Sequence, residues 1–241
     1  ENKKSGDIFN FEIFLSLLPI YGIYLLIGLF ILFVLLGKKF ITWKNFLIFL
    51  GGIIAGLIVL VIMIPVWAVL AFAAMNSTIE HGKTLGAIPF IISFLPLSLL
   101  QEGFKLLGIF IFASWIFKNK TIAKYIGAIF ALGLSFIDIL YFSNSLQAIT
   151  ESSFIILFSC GVWIFFHVIS GLFTGLKLFS KKTRLFLALL VFVILNYVLH
   201  LLPILEAFKI VPSEISLISN IIFLLIFIGA IIFYKKKSFQ K

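Results

Sequence analysis

The chain has a single cysteine, Cys160, in 241 residues. An intrachain disulfide is therefore impossible, and a thiolate metal cluster has no ligands to draw on. Charge is scarce: Asp, Glu, Lys and Arg make up 12% of the chain, where a soluble domain carries roughly a quarter. Acids are the rarest of these, nine against 19 cations, and only Arg184 among the cations is arginine. What fills the space is apolar. Hydrophobic residues reach 63%, with 31 Phe and a mean hydropathy of +1.26. A globule of this length has too little interior to hide that much Phe, Ile and Leu, so the solvent is lipid. A soluble enzyme, a nucleic-acid-binding domain and a secreted disulfide scaffold are excluded.

A hydrocarbon core about 30 Å thick takes roughly 20 apolar helical residues to cross. Backbone groups in lipid must bond within their own segment, and the apolar runs are too long and too unbroken for barrel strands. The sequence predicts an all-α polytopic membrane protein with about seven transmembrane helices in one bundle. The expected spans are 13–37, 46–75, 87–117, 125–147, 153–178, 185–205 and 216–234. Pro65, Pro89 and Pro96 are expected kink points in the two longest. Linkers of five to eleven residues leave no room for a soluble domain, so 1–241 reads as a single transmembrane domain with a basic tail at 235–241. Gly52-x-x-x-Gly56 and Gly171-x-x-x-Gly175 have the spacing that lets membrane helices approach closely.

The cations are not scattered. Lys38, Lys39, Lys44, Lys118, Lys120, Lys124, Lys177, Lys181, Lys182, Arg184, Lys235, Lys236, Lys237 and Lys241 all follow odd-numbered spans, and no acid accompanies them. The other side holds Lys3, Lys4, Lys83 and Lys209 against seven acids. By the positive-inside rule the N-terminus lies outside and the C-terminus in the cytoplasm. The excess of +10 is thus an orientation signal with membrane lipids as its partner, not a nucleic-acid footprint.

Five ionisable or imidazole side chains remain inside the spans: Glu102, Lys105, Asp138, His167 and His200. A charge at mid-bilayer costs roughly 2.5–3.5 kcal/mol on insertion scales, which makes such residues functional candidates. Glu102 and Lys105 are three apart on one helix face and are expected to pair. Glu102, Asp138, His167 and His200 lie on four consecutive helices at similar depth, with Gln101 beside Glu102 and Asn196 a turn before His200. Gathered in one cavity, two carboxylates and two imidazoles have the donors for a Zn²⁺ ion. Equally, a carboxylate can act as general base while imidazoles steady an oxyanion. The plain structural alternative is a polar lock that glues helices together, and Trp163, Tyr141, Tyr197 and Cys160 are read as core residues of that kind.

The order of these residues is similar to that of a known superfamily. Leu100-Gln101-Glu102-Gly103-Phe104-Lys105 resembles the E-E-x-x-K helix of the PrsW family of intramembrane proteases, relatives of the CAAX prenyl endopeptidases and the YhfC and Aph membrane proteins. Gly133-Leu134-Ser135-Phe136-Ile137-Asp138 resembles the family's G-x-x-x-x-E segment, and Phe166-His167-Val168-Ile169-Ser170-Gly171 its histidine-centred one. His200 stands where the fourth motif has a histidine. The resemblance implies a membrane hydrolase that cleaves a peptide bond of a membrane-protein or peptide substrate in or near the bilayer of a bacterial cytoplasmic membrane. On it, Glu102, Asp138, His167 and His200 are catalytic or metal-binding, with Zn as the implied metal, and Gln101, Lys105 and Asn196 support them. Two positions depart from the pattern: Gln101 replaces the first Glu, and Asp138 replaces a Glu. A Gln amide cannot act as a base, so the alternative is a non-catalytic relative serving as scaffold or binding subunit beside a partner chain. A proton-coupled transporter is a third reading, weakened by the absence of an inverted repeat.

Overall fold

The computed structural model describes residues 11–36, 42–81, 83–147, 153–180, 182–207 and 209–239. The expectations for Lys3, Lys4, Lys38, Lys39, Glu151, Lys181 and Lys241 lie outside these. Among the described residues the chain is all helical. The long helices are α1 (Phe11–Leu36), α2 (Trp43–His81), α3 (Lys83–Phe110), α4 (Ala123–Gln147), α5 (Ser153–Lys177), α6 (Lys182–Ala207) and α7 (Ser213–Phe239).

Six of them carry stretches long and apolar enough to cross a membrane, those in α2 to α7. The seventh expected span corresponds to α1, whose apolar described stretch, Tyr21–Val34, is shorter. The surface carries the signature of a membrane protein turned towards lipid. Phe30, Val61, Val69, Phe186 and Phe233 are about two-thirds exposed, while Gln101, Glu102, Lys105, Asp138, His167, Asn196 and His200 are buried. A protein folded in water has the opposite sorting.

Two boundaries differ from the sequence expectation. The connection placed at 76–86 is helical up to His81 and again from Lys83. No glycine or proline interrupts residues 66–81, so the helix has nothing to stop it. After Phe110 the backbone widens into a π-helix, Ile111–Ile116, which Phe117 N–H closes onto the Phe112 carbonyl at 2.9 Å. Lys118 then takes a positive φ of 49°, and the Asn119 side chain accepts the Thr121 amide at 3.0 Å to begin the short 3₁₀ turn Lys120–Ile122. This connector delivers the chain to α4.

Helices α4 and α5 are the centre of the bundle. Their spans are 78% buried, against 33% for α2, 22% for α6 and 17% for α7. Both small-residue motifs lie at close crossings. A Cβ on Gly52 would strike the Phe130 carbonyl and one on Gly133 the Phe49 carbonyl, so α2 and α4 touch backbone to backbone. Gly127 and Gly171 make the same kind of approach between α4 and α5. Contact at that range maximises dispersion between helices that lipid does not drive together. Gly133 is five residues before Asp138, and Gly171 four after His167. The glycine crossings therefore fix α4 and α5 directly beside the polar residues they carry.

Candidate functional site

Helices α3, α4, α5 and α6 each turn polar side chains into the same buried region. All four residues singled out from the sequence, Glu102, Asp138, His167 and His200, are there, and so are Gln101, Lys105 and Asn196. A continuous chain of hydrogen bonds joins them.

Asp138 is the hub. Its Oδ2 is 3.0 Å from His167 Nε2 and 3.2 Å from His200 Nε2, while Oδ1 accepts the Gln101 amide at 2.8 Å. The Gln101 carbonyl oxygen in turn accepts from Asn196 Nδ2 at 2.8 Å. Gln101, the departure from the E-E-x-x-K pattern, thus bridges α4 and α6. A glutamate at that position would set a carboxylate against Asp138.

Glu102 stands one step away. Lys105 Nζ contacts Glu102 Oε1 at 2.5 Å and donates to Ser170 Oγ at 2.8 Å, and it lies 5.0 Å from the centre of the Phe166 ring. The i,i+3 pairing expected from sequence is formed, in full burial. Ser170 was not foreseen; its signal was its place one helical turn after His167, which turns it to the same face. Its hydroxyl also donates to the His167 carbonyl at 3.1 Å.

The histidine tautomers follow from their partners. His200 Nδ1 is 2.8 Å from the backbone carbonyl of Asn196, which only accepts, so Nδ1 carries the hydrogen. Nε2 of the same ring then faces Asp138 Oδ2, and two lone pairs at 3.2 Å repel unless a proton lies between them. A hydrogen bond across this contact therefore requires a proton between Nε2 and Oδ2. With Glu102 neutralised by Lys105, that proton makes the whole cluster neutral, the state a membrane interior favours.

His200 also packs against two aromatic rings. Its ring stacks on Trp163 at 4.9 Å and on Phe94 at 5.7 Å. Pro203 has no N–H to offer the carbonyl four residues earlier, that of Leu199. Trp163 Nε1 donates to that carbonyl at 3.3 Å. The sequence reading treated Trp163 as core; the proline gives its indole a specific partner next to His200.

The cluster borders a small open space. A cavity of about 10 Å³, close to the least that admits a water molecule, is lined by Asp138, Gln101 and Tyr141 together with apolar residues of α2, α3 and α4. Trp67 and Tyr141, stacked at 4.6 Å and 12°, stand beside it. Within the cluster, Glu102 Oε2, His167 Nδ1 and Asn196 Oδ1 make no hydrogen bond among the described residues.

The donors do not surround a common centre as a four-ligand zinc site requires. Glu102 is engaged by Lys105, whose ammonium would stand beside the cation, and among the described residues no group of three or more His, Cys, Asp or Glu is placed to hold a metal ion. The Glu102–Asp138–His167–His200 metal set drawn from the resemblance does not fit this geometry. No family model matches the chain, and no curated protein or solved structure matches it either.

Proposed function

We propose that this membrane protein is an intramembrane hydrolase of the endopeptidase kind, with Asp138 as the group that activates water. The observation that carries the reading is a buried carboxylate shared by two imidazoles at the edge of a water-sized cavity. The order of motifs from Leu100 to His200 supports a peptide bond as substrate. Water in the cavity gives its proton to Asp138 as its oxygen adds to the carbonyl carbon. The proton shared with His200 passes to the departing amine nitrogen, and the C–N bond breaks. Asp138 keeps the water's proton and again shares it with His200, so the pair ends with the one it began with. His167, donating through Nε2, steadies the carboxylate. Glu102 and Lys105 act as a neutral anchor beneath the site and not as the base. The lysine-bearing ends face the cytoplasm and the N-terminus lies outside, as in a bacterial cytoplasmic membrane.

The test is cleavage of single-span substrates by the protein in lipid nanodiscs. Asp138→Asn abolishes turnover while the protein stays folded, whereas Glu102→Gln combined with Lys105→Met keeps most of it. Turnover unchanged in Asp138→Asn sinks the assignment. A second reading has its own support: Gln101 occupies Asp138 Oδ1 and ties it to Asn196, as a polar lock in a scaffold subunit would. It requires a wild type without turnover and a partner chain recovered in fixed ratio, lost in Gln101→Leu.

A further inference from the structure

Two spaces far larger than the one beside Asp138 lie away from the polar cluster. Asp138 is thirteen residues along α4 from Tyr125, about 20 Å at 1.5 Å per residue. At the Tyr125 end a cavity of about 450 Å³ opens between the start of α2, the connector and α4. Its polar lining comes from Thr42, Lys44, Asn45, Asn119 and Tyr125. A second cavity, of about 350 Å³, runs between α1, α2 and α4. Apart from Thr42 and Asn45 its walls are Leu25, Leu29, Leu32, Phe46, Phe49, Ile129 and Leu132. Thr42, Asn45 and Ile129 line both, so a polar chamber and a hydrocarbon slot lie side by side.

Charge at the polar chamber is of one sign. Lys44 lines it, and Lys118, Lys120 and Lys124 belong to the connector and helix start that form its wall. Among the described residues none of the four pairs with a carboxylate. Aromatic rings hold three of the ammonium groups instead: Lys44 is 5.8 Å from the Phe117 centre, Lys120 5.3 Å from Phe179, and Lys124 4.8 Å from Tyr125. Among the described residues no acid lines either cavity. The ligand that answers both halves carries a phosphate on a hydrocarbon chain.

We propose that this paired cavity is a seat for one anionic phospholipid, its phosphate held by Lys44, Asn45 and Asn119 and one acyl chain lying in the slot between α1 and α2. Cavities of a few hundred Å³ with few convergent polar groups suit a single small ligand. Lys44, exposed and without a carboxylate partner among the described residues, stands beside the apolar slot and favours an anionic head over a zwitterionic one. The seat is independent of hydrolysis, so its test stands whether or not the protein is an enzyme.

Native mass spectrometry of the full chain in detergent provides that test, with dioleoylphosphatidylglycerol, dioleoylphosphatidylcholine and the chain-free glycerophosphoglycerol as probes. One phosphatidylglycerol binds at least tenfold more tightly than phosphatidylcholine. Lys44→Ala weakens it about fivefold, the loss of one lysine near a lipid phosphate; Lys44→Glu removes the preference, and Lys44→Arg keeps it. Leu29→Trp, which fills the slot, weakens the diacyl lipid at least tenfold and leaves glycerophosphoglycerol unchanged. Lys236→Glu, an exposed charge on α7, has no effect. Equal binding of the two diacyl lipids, or equal losses in Lys44→Glu and Lys236→Glu, overturns the proposal in favour of general surface attraction. Glycerophosphoglycerol binding as tightly as the diacyl lipid overturns it in favour of a free phosphate site.

Discussion

Removing Lys105 tests how the buried charges are balanced. In Lys105→Met the side chain keeps most of its volume, but the ammonium that contacts Glu102 at 2.5 Å is gone. Both partners are almost fully buried, at 0% and 1% exposure. Glu102 Oε2 already has no hydrogen-bond partner among the described residues, and Asn196 Nδ2 reaches Oε1 only at 3.5 Å. Little remains to support the negative charge. Breaking one side of a buried ion pair costs about 3–5 kcal/mol, because the other charge is stranded. At 1.4 kcal/mol per factor of ten, that is a loss of about two to three and a half decades in the folding equilibrium. Glu102→Gln strands the lysine and costs a similar amount, softened by the Ser170 hydroxyl at 2.8 Å. The double variant removes both charges and leaves near-isosteric side chains, so it recovers to within about 1 kcal/mol of wild type. Reversible unfolding in mixed micelles, run as a double-mutant cycle, measures the coupling, expected at about 3 kcal/mol or more. Single variants that each cost under about 1 kcal/mol and add without coupling would refute the reasoning, since the pair would then not be holding charge in a low-dielectric interior.

Trp163→Phe keeps an aromatic face against His200 but leaves the Leu199 carbonyl unsatisfied, and lowers stability by about 1–2 kcal/mol. Adding Pro203→Ala restores a helix N–H for that carbonyl, so the double variant recovers stability in the same unfolding assay. Gly133→Val places a side chain against the Phe49 carbonyl and costs about 3 kcal/mol or more, read as loss of monodisperse folded protein on size exclusion. Trp67→Ala widens the space beside Asp138 and Tyr141; a water-soluble carboxyl-modifying carbodiimide then labels Asp138 at least tenfold faster than in wild type, by peptide mass mapping.

The features readable from sequence are those that follow from a helical period and the cost of charge in lipid. Period and cost together placed Glu102, Asp138, His167 and His200 on neighbouring helices, and i,i+3 spacing paired Glu102 with Lys105. Small-residue spacing located the crossings at Gly52 and Gly171, although it could not name their opposite numbers, Gly133 and Gly127. What stayed hidden depends on which side chain meets which across helices. Gln101 looks like a lost acid in one dimension and proves to be the link between Asp138 and Asn196. Pro203 and Trp163 are forty residues apart, and only the fold sets an indole N–H against the carbonyl that the proline leaves unpaired. The π-helix at Ile111–Ile116 has no helix-breaking residue to announce it. The long α2 shows the converse: the helix runs past the end of its apolar span to His81, because polarity alone, at Asn76-Ser77-Thr78, does not end a helix.

The glycine crossings leave the molecule with unequal freedom. Helices α4 and α5 are locked backbone to backbone, so Asp138 and His167 sit on a common chassis. His200 and Asn196 ride on α6, which is largely unburied and meets that chassis through side chains: His200 on Asp138 and Trp163, and Phe192 on Phe166 and Phe173. A movement of α6 against α4 and α5 would therefore divide the site between His200 and Asp138. The proton shared across that contact is the first thing such a movement would strand, so the infrared signature of the Asp138 carboxyl reports directly on the position of α6.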